Sequence, residues 1–272
     1  MGILGLLSFL RKTAPSAFKN PDLNGARVAI DTPIFMYKFA YAVGTGKPLI
    51  ARMLQFGNDL LIHNIEPVFI FDGERLPEKE REKARRLEVF KKYNEKLNGL
   101  NFVKIDSEEE FEVEKSTFSK KPIINDFEAL KIALDISGFQ FKIAKYEAEA
   151  LCSHLCVSGD VHSVITEDSD ALAYLAPRVI VRFNEKREMI DIGEVCRVLN
   201  LTPQEFQHMC ILFGNDFNGR ISGIGPVKAY SLIKKYSTLE NVFKHKQVEY
   251  DLTEEMQKTK KIFECYCHEV ST

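Results

Sequence analysis

The chain is 272 residues long, with 45% hydrophobic and 28% charged residues, enough apolar content to bury a full core without disulfide staples. Ordinary Gly and Pro counts (15 and 10) and six dilute Cys exclude a collagen, a disordered tail and a small disulfide scaffold. With 37 basic against 39 acidic residues the formal net charge is −2, so bulk attraction cannot coat nucleic acid and any phosphate binding must be local.

The run MGILGLLSFLRK places its charge after the apolar stretch, the reverse of a secretory signal, and is too short to span a bilayer. Leu6 stands where a myristoylation signal needs Ser or Thr, so no membrane attachment is expected. Next come short β-branched runs that read as buried parallel strands: ARVAID (26–31), PVFIFD (67–72), FQFKIA (139–144), VHSVITED (161–168) and RVIVRF (178–183). Between them PLIARMLQFGNDLLIHN, FEALKIALDIS and EAEALCSHLCV carry apolar residues at helical spacing. Strands alternating with helices predict an α/β fold whose central sheet is mostly parallel and flanked by helices.

Two segments break the alternation. Residues 77–98 predict a long charged helix, and 99–126 mix an acidic run with a Lys-rich stretch and the helix-breaking Pro122. An insertion of this length in a compact domain is either a solvated excursion or functional. From 203 onward the pattern is helical around one Gly-rich hairpin, and 244–272 predict a charged helix or frayed end. Cys152, Cys156, Cys196, Cys210, Cys265 and Cys267 contain no C-x-x-C pair and read as reduced thiols in a reducing compartment. Cys265 to His268 lacks the second half that a zinc site needs.

The chemistry lies in where the acids fall. Asp31, Asp72 and the pair Asp168 and Asp170 close three of the predicted strands, and the carboxyl ends of strands in open α/β sheets form the ligand crevice. Glu147 and Glu149 follow a fourth strand at a helix start, and Asp216 precedes the hairpin. On a regular helix Glu147 and Glu149 would diverge by about 200°, so at least one of them should sit ahead of the helix proper or reach a ligand through water. Asp168 and Asp170 share a face if their strand is still extended there. A lone Asp at a strand end is commonly an N-cap. Six together would repel one another and take up protons unless divalent cations intervene. Oxygen ligands without His or Cys favour Mg²⁺ or Mn²⁺, and this many carboxylates can hold two ions that act on a phosphate ester.

The hairpin GRISGIGPVKAYSLIKKY (219–236) selects among phosphate esters. Gly223 and Gly225 ahead of a helix bearing Lys228, Lys234 and Lys235 leave backbone N–H groups and charge for a phosphate, which favours a nucleic-acid backbone over a simple tight turn.

The chain resembles the flap endonuclease and xeroderma pigmentosum group G family of structure-specific 5′ nucleases, most closely the flap endonucleases. The resemblance runs in order through MGILGLL, APSAF, VAIDTPIFMYKF, PVFIFDGE, KYEAEAL, TEDSDAL, CILFGNDF and ISGIGPVKA. It implies a PIN-like 5′ nuclease fold with a helical arch insertion and a C-terminal helix-hairpin-helix element. The single domain 1–272 would divide into an N-terminal nuclease region (1–98), a gateway and arch (77–128), an internal nuclease region (129–202), a helix-hairpin-helix region (203–245) and a tail (246–272). Asp31, Asp72, Glu147 and Glu149 would surround one Mg²⁺ or Mn²⁺, and Asp168, Asp170 and Asp216 the other, with a monovalent cation (K⁺) at the hairpin.

By the same resemblance Lys79 and Arg86 are the catalytic basic pair of the gateway helix, seven residues apart on one face with Lys83 between them. Tyr37 would stack an unpaired base, and Gly2 would lie close to the catalytic centre. The expected partner is branched or flapped DNA in replication and repair, with the chain acting as a monomer inside the cell, in the nucleus, or in a host's nucleus or cytoplasm for a viral version. No Q-x-x-L-x-x-F-F sliding-clamp motif is present. Two other classes were weighed. A haloacid dehalogenase type of phosphatase needs D-x-D-x-T, whereas Asp31 is followed by Thr-Pro-Ile; a catalytically idle DNA-binding scaffold should have lost metal ligands, and all seven acids stand.

Overall fold

The computed structural model describes residues 2–77, 79, 122, 124–183, 187–246 and 250–265. The predicted segments 77–98 and 99–126 therefore lie almost wholly outside the described residues, Arg86 and Lys83 among them.

Chain order runs α1 (Leu6–Thr13), a 3₁₀ turn (Pro15–Ala17), β1 (Phe18–Lys19), β2 (Arg27–Asp31), α2 (Thr32–Val43), α3 (Lys47–Ile62), β3 (Glu66–Phe71), α4 (Ile124–Ile136), β4 (Gln140–Ile143) and α5 (Ala148–Ser158). It continues through β5 (Ser163–Ile165), α6 (Asp170–Ala173), β6 (Arg178–Arg182), β7 (Glu188–Asp191), α7 (Ile192–Leu199), α8 (Pro203–Phe213), α9 (Pro226–Tyr236), α10 (Leu239–Lys246) and α11 (Tyr250–Cys265). No helix among the described residues is long and apolar enough to cross a membrane.

One seven-stranded sheet has the order β1-β7-β6-β5-β2-β3-β4. The five strands read from the sequence all pair in parallel, β6-β5-β2-β3-β4. Two strands that the sequence reading did not anticipate, β7 and β1, add antiparallel pairs at one edge. Because the chain runs from β2 outward to β3 and β4 and then returns to β5 on the other side of β2, the order of the parallel strands reverses between β2 and β5. Such a switch point opens a crevice at the carboxyl ends of the strands.

Side chains alternate across the sheet. Ala29, Val68 and Ile70 face a core built with α1, α5 and α8, whereas Val28, Ile30, Phe69 and Phe71 face a second core built with α2, α3 and α4. Two sheet expectations need correction. The run 139–144 is not a fully buried strand: β4 lies at the sheet edge and alternates between exposed and half-buried residues. The run 161–168 is strand only over Ser163–Ile165.

Of the two readings of the tail, a charged helix or a frayed end, its described part takes the helical one: α11 is a charged helix that also buries Met256, Ile262 and Phe263. Phe263 packs edge-on against Tyr174 (4.8 Å) and Phe217 (5.7 Å). Cys152, Cys156, Cys196 and Cys210 are buried free thiols, as expected.

Candidate metal centre and nucleic-acid interface

The strand ends deliver the acids to one place. Asp31 is both the last residue of β2 and the residue that caps α2, yet its side chain makes no capping bond. Its Oδ2 instead accepts from the Thr166 hydroxyl at 2.6 Å, across the switch point. Asp72 follows β3, and its Oδ1 accepts from Ala148 N at 2.8 Å, capping α5 from another segment. Glu147 sits ahead of α5 in extended backbone (φ −94, ψ 133) and Glu149 in its first turn, so the two point into one site as their spacing demanded. Ligand oxygens of Asp72, Glu147 and Glu149 lie within 4.8 Å of one another.

Asp168 and Asp170 meet differently from the expectation of an extended strand. The strand has ended by Ile165, and a turn brings them together: Asp168 Oδ1 accepts from Asp170 N at 2.9 Å, while Asp168 N donates to Thr166 Oγ1 at 3.0 Å. An Asx turn of this kind draws a carboxylate back onto its own backbone. Asp170 starts α6 and is fully buried, and neither of its carboxylate oxygens has a hydrogen-bond partner. Asp216, in the loop after α8, is close enough that its charge raises the pKa of both Asp168 and Asp170.

The electrostatics follow from this crowding. Burial, then the charge of Glu149, lifts Asp72 and Asp168 to about 6 each and Glu147 to about 8. Asp31 and Asp170 are raised well above the usual carboxylate range, first by burial and then by neighbouring acids. Among the described residues, one side-chain ammonium enters the cluster. Lys79 hydrogen-bonds Glu147 Oε2, and its Nζ is 3.5 Å from Glu149 Oε1 and 5.1 Å from the ring of Phe217. Burial disfavours its charge, but Glu149 and Glu147 outweigh that and hold the ammonium pKa well above normal.

Does this donor set fit divalent cations? A buried carboxylate costs several kcal/mol unless compensated, and Asp170 offers two oxygens with no donor to meet them. All the convergent donors are carboxylate oxygens, which suits hard ions such as Mg²⁺ or Mn²⁺. The residues present fit such ions.

Three positioning residues escaped the sequence reading. Thr166 ties Asp31 to the Asp168 backbone, and Ser169 Oγ accepts from Ile3 N at 2.8 Å. A Cβ on Gly73 would collide with the carbonyl oxygens of Ala144 and Lys145; without one, Gly73 N and Glu74 N each donate at 2.7 Å to the carbonyls of Tyr146 and Lys145. That contact clamps the loop bearing Asp72 to the loop bearing Glu147. All three residues lie inside the quoted blocks, but a hydroxyl or a glycine signals chemistry less plainly than an acid does.

The remaining predicted residues surround this centre. Gly2 has φ +87, and a Cβ there would strike Asp168 Oδ1 and lie 2.6 Å from Ser169 Oγ, so only glycine lets the chain pass. Tyr37, on α2, is 39% exposed with its ring 6.5 Å from Phe127. In the hairpin Gly223 takes φ +70 and Gly225 precedes α9, whose first residues, Pro226 to Lys228, are half-buried or exposed. Lys228 donates to the Gly223 carbonyl at 2.9 Å and Lys234 to the Asn200 carbonyl at 2.7 Å, while Lys235 lies 5.2 Å over the Tyr236 ring. Each ammonium carries three donors, so one internal bond leaves others for a phosphate.

Comparison with known proteins bears on the family and the fold. The XPG N-terminal domain model matches residues 1–92 and the XPG I-region model residues 138–216. Flap endonuclease 1-2 of Paramecium tetraurelia is 32% identical over 272 residues, covering 91% of this chain and 68% of that protein. Flap endonuclease 1 of Heterostelium pallidum is 33% identical over 267 residues, covering 90% and 68%. Among solved structures, flap endonuclease-1 from Methanococcus jannaschii superposes with a TM-score of 0.66 at 29% identity, over 90% of this chain and 81% of that one. The catalytic core of Rad2 in complex with DNA substrate shares the fold, with a TM-score of 0.72 at 21% identity over 99% and 88%.

Proposed function

The chain belongs to the XPG family, in its flap endonuclease branch, and from that premise we propose that it is a structure-specific 5′ nuclease. It hydrolyses phosphodiesters at 5′ flaps and other single-strand to double-strand junctions of DNA in replication and repair, as a monomer, within the nucleus and without a sliding-clamp motif. The observation that carries the reading is the convergence of the carboxylates on one sheet edge, with both Asp170 oxygens buried and unpartnered.

Asp31, Asp72, Glu147 and Glu149 would hold one Mg²⁺ or Mn²⁺, and Asp168, Asp170 and Asp216 a second. When bound, such ions supply a water acidified toward neutral pH and offset the charge that develops on the phosphate. The chain's own residues do the rest. The glycine turn at 223–225 and Lys228, Lys234 and Lys235 hold the duplex backbone at the N-terminus of α9, where amides and dipole favour a phosphate, with K⁺ as the monovalent ion of the turn. Tyr37 offers a ring to a base that has left the duplex. Lys79, joined by Arg86 and Lys83, brings positive charge to the scissile phosphate, and Gly2 keeps the strand path beside Asp168 clear. Products would be a 5′-phosphate and a 3′-hydroxyl.

The test is a panel of end-labelled 5′-flap, 3′-flap, nicked, gapped and four-way-junction DNAs incubated with the protein and Mg²⁺, with a chelator control. Cleavage of the 5′ flap that the chelator abolishes is expected. Failure to cut any branched DNA in Mg²⁺ or Mn²⁺ would overturn the reading.

A further inference from the structure

The acid cluster already contains one cation of its own. Lys79 Nζ hydrogen-bonds Glu147 and lies 3.5 Å from Glu149. These carboxylates are two of the three whose ligand oxygens gather within 4.8 Å. The third, Asp72, and the more distant Asp170 also feel its charge. Phe217, next to Asp216, lies beneath the ammonium at 5.1 Å. Of the positively charged side chains among the described residues, Lys79 is the one that makes ion pairs inside the cluster; the other ion pairs among these residues lie elsewhere.

We infer that Lys79 is the built-in counter-cation of the ion-free site and competes with the divalent ion for Glu147 and Glu149, so that it sets the affinity for metal. This inference rests on the nuclease reading and adds to it. A divalent ion held by Asp72, Glu147 and Glu149 would draw on the same Glu147 and Glu149 carboxylates that the ammonium engages. Two cations so close repel strongly where water is largely excluded, so loading the ion must move Lys79 off its partners. Linkage makes the effect reciprocal: whatever Lys79 subtracts from metal affinity, the metal subtracts from the hold on Lys79. The lysine then has two stations. In the ion-free protein it neutralises carboxylates that would otherwise repel; in the loaded protein it is released, still beside the site, toward an incoming phosphate. Metal loading thereby converts a stabilising residue into a substrate-facing one.

The experiment measures metal binding without DNA on the full chain stripped by chelator. Mn²⁺ is titrated and the free ion followed by electron paramagnetic resonance, for wild type, Lys79→Met, Lys79→Arg and Lys19→Met. Lys19 pairs with Asp191 on the far edge of the sheet, so its variant changes net charge equally without touching the cluster. Lys79→Met should bind the first Mn²⁺ about tenfold tighter, within the usual range of coupling between sites, while Lys79→Arg and Lys19→Met stay near wild type. Melting should show Lys79→Met less stable than wild type in chelator, and the deficit should vanish in saturating Mg²⁺. Unchanged Mn²⁺ affinity in Lys79→Met, an equal gain in Lys19→Met, or a melting deficit that persists in Mg²⁺ would each overturn the inference. If Lys79→Met does not fold in chelator, Lys79→Arg decides: Mn²⁺ binding tightened by retaining the charge would refute competition. Wild-type protein that neither binds Mn²⁺ nor cuts DNA would defeat the nuclease reading itself, a result distinct from all of these.

Discussion

Asp170 has opposed effects on activity and stability. As a fully buried carboxylate with two unpartnered oxygens it destabilises the ion-free fold, because an unmet buried acceptor costs ~1–3 kcal/mol and a charged one more. Asp170→Asn removes the charge and adds amide donors among neighbouring acids. In chelator the variant should melt a few degrees higher than wild type, at roughly 2–4 °C per kcal/mol for a chain of this size. In Mg²⁺ its flap cleavage should fall by about three orders of magnitude, since losing an ion's charge stabilisation costs several kcal/mol at the transition state, while flap-DNA affinity measured by gel shift stays close to wild type. A variant that cuts normally in Mg²⁺ would remove Asp170 from the catalytic set. Thr166 sits at the same scale. Its hydroxyl donates to Asp31 and accepts from Asp168 N, so Thr166→Val leaves a buried acceptor and a buried donor unmet. Lower melting temperature, by ~1–3 kcal/mol of stability, and weaker Mn²⁺ binding should appear together.

At the scale of elements, loops do the positioning that strands only begin. The acids at strand ends were readable because a parallel strand is an uninterrupted apolar run, and its last polar residue stands out. What made the Asp168–Asp170 pair was not readable: an Asx turn after three residues of strand looks, in sequence, like more strand. Edge strands β1 and β7 were missed for a related reason, since two and four residues carry too little periodicity, and their register depends on pairing across the fold. Surface ion pairs reinforce that edge, with Arg11 donating twice to Glu188 at 2.6 and 2.5 Å. The tail was legible as a charged helix, but its charge count hid an apolar stripe, Met256, Ile262 and Phe263. That stripe gives α11 a consequence at the site. Phe263 packs against Phe217, the neighbour of Asp216, so Phe263→Ala should cost ~3–5 kcal/mol of stability and also weaken Mn²⁺ binding, both read by melting with and without the ion. Loss of stability with metal affinity intact would show α11 to be packing alone. Gly73→Ala tests the other loop contact: forcing the Asp72 and Glu147 loops apart should reduce soluble yield and cleavage together, more than Glu74→Ala does.

For the whole molecule, the raised carboxylates predict an unusual pH profile. Asp72 and Asp168 near 6 and Glu147 near 8 stand above the ~4 of an unfolded chain. Between those limits the folded state binds more protons than the unfolded one, so stability falls as pH rises. The ion-free protein should therefore melt higher at pH 5.5 than at pH 8, and Mg²⁺ should add most at pH 8, where the carboxylates are ionised and in conflict. Scanning calorimetry across that interval, with and without Mg²⁺, checks the sign; an ion-free protein most stable at pH 8 would contradict the crowding. The net charge of −2 fits the proposal that attraction for DNA is concentrated in one turn and a few lysines rather than spread over the surface.

The amino-terminal segment is stitched to distant parts of the chain: Ile3 N reaches Ser169, Leu4 N reaches the Gly214 carbonyl at 3.1 Å, and Arg220 holds the Leu4 carbonyl at 3.0 Å. A ribosome releasing this polypeptide therefore makes the opening residues long before their partners exist. Since folding during synthesis proceeds from the front, the earliest portion must wait, unfinished, until translation passes residue 220. The corner that joins Ser169 to the amino-terminal chain, beside Asp168, is thus among the last parts of the fold to close.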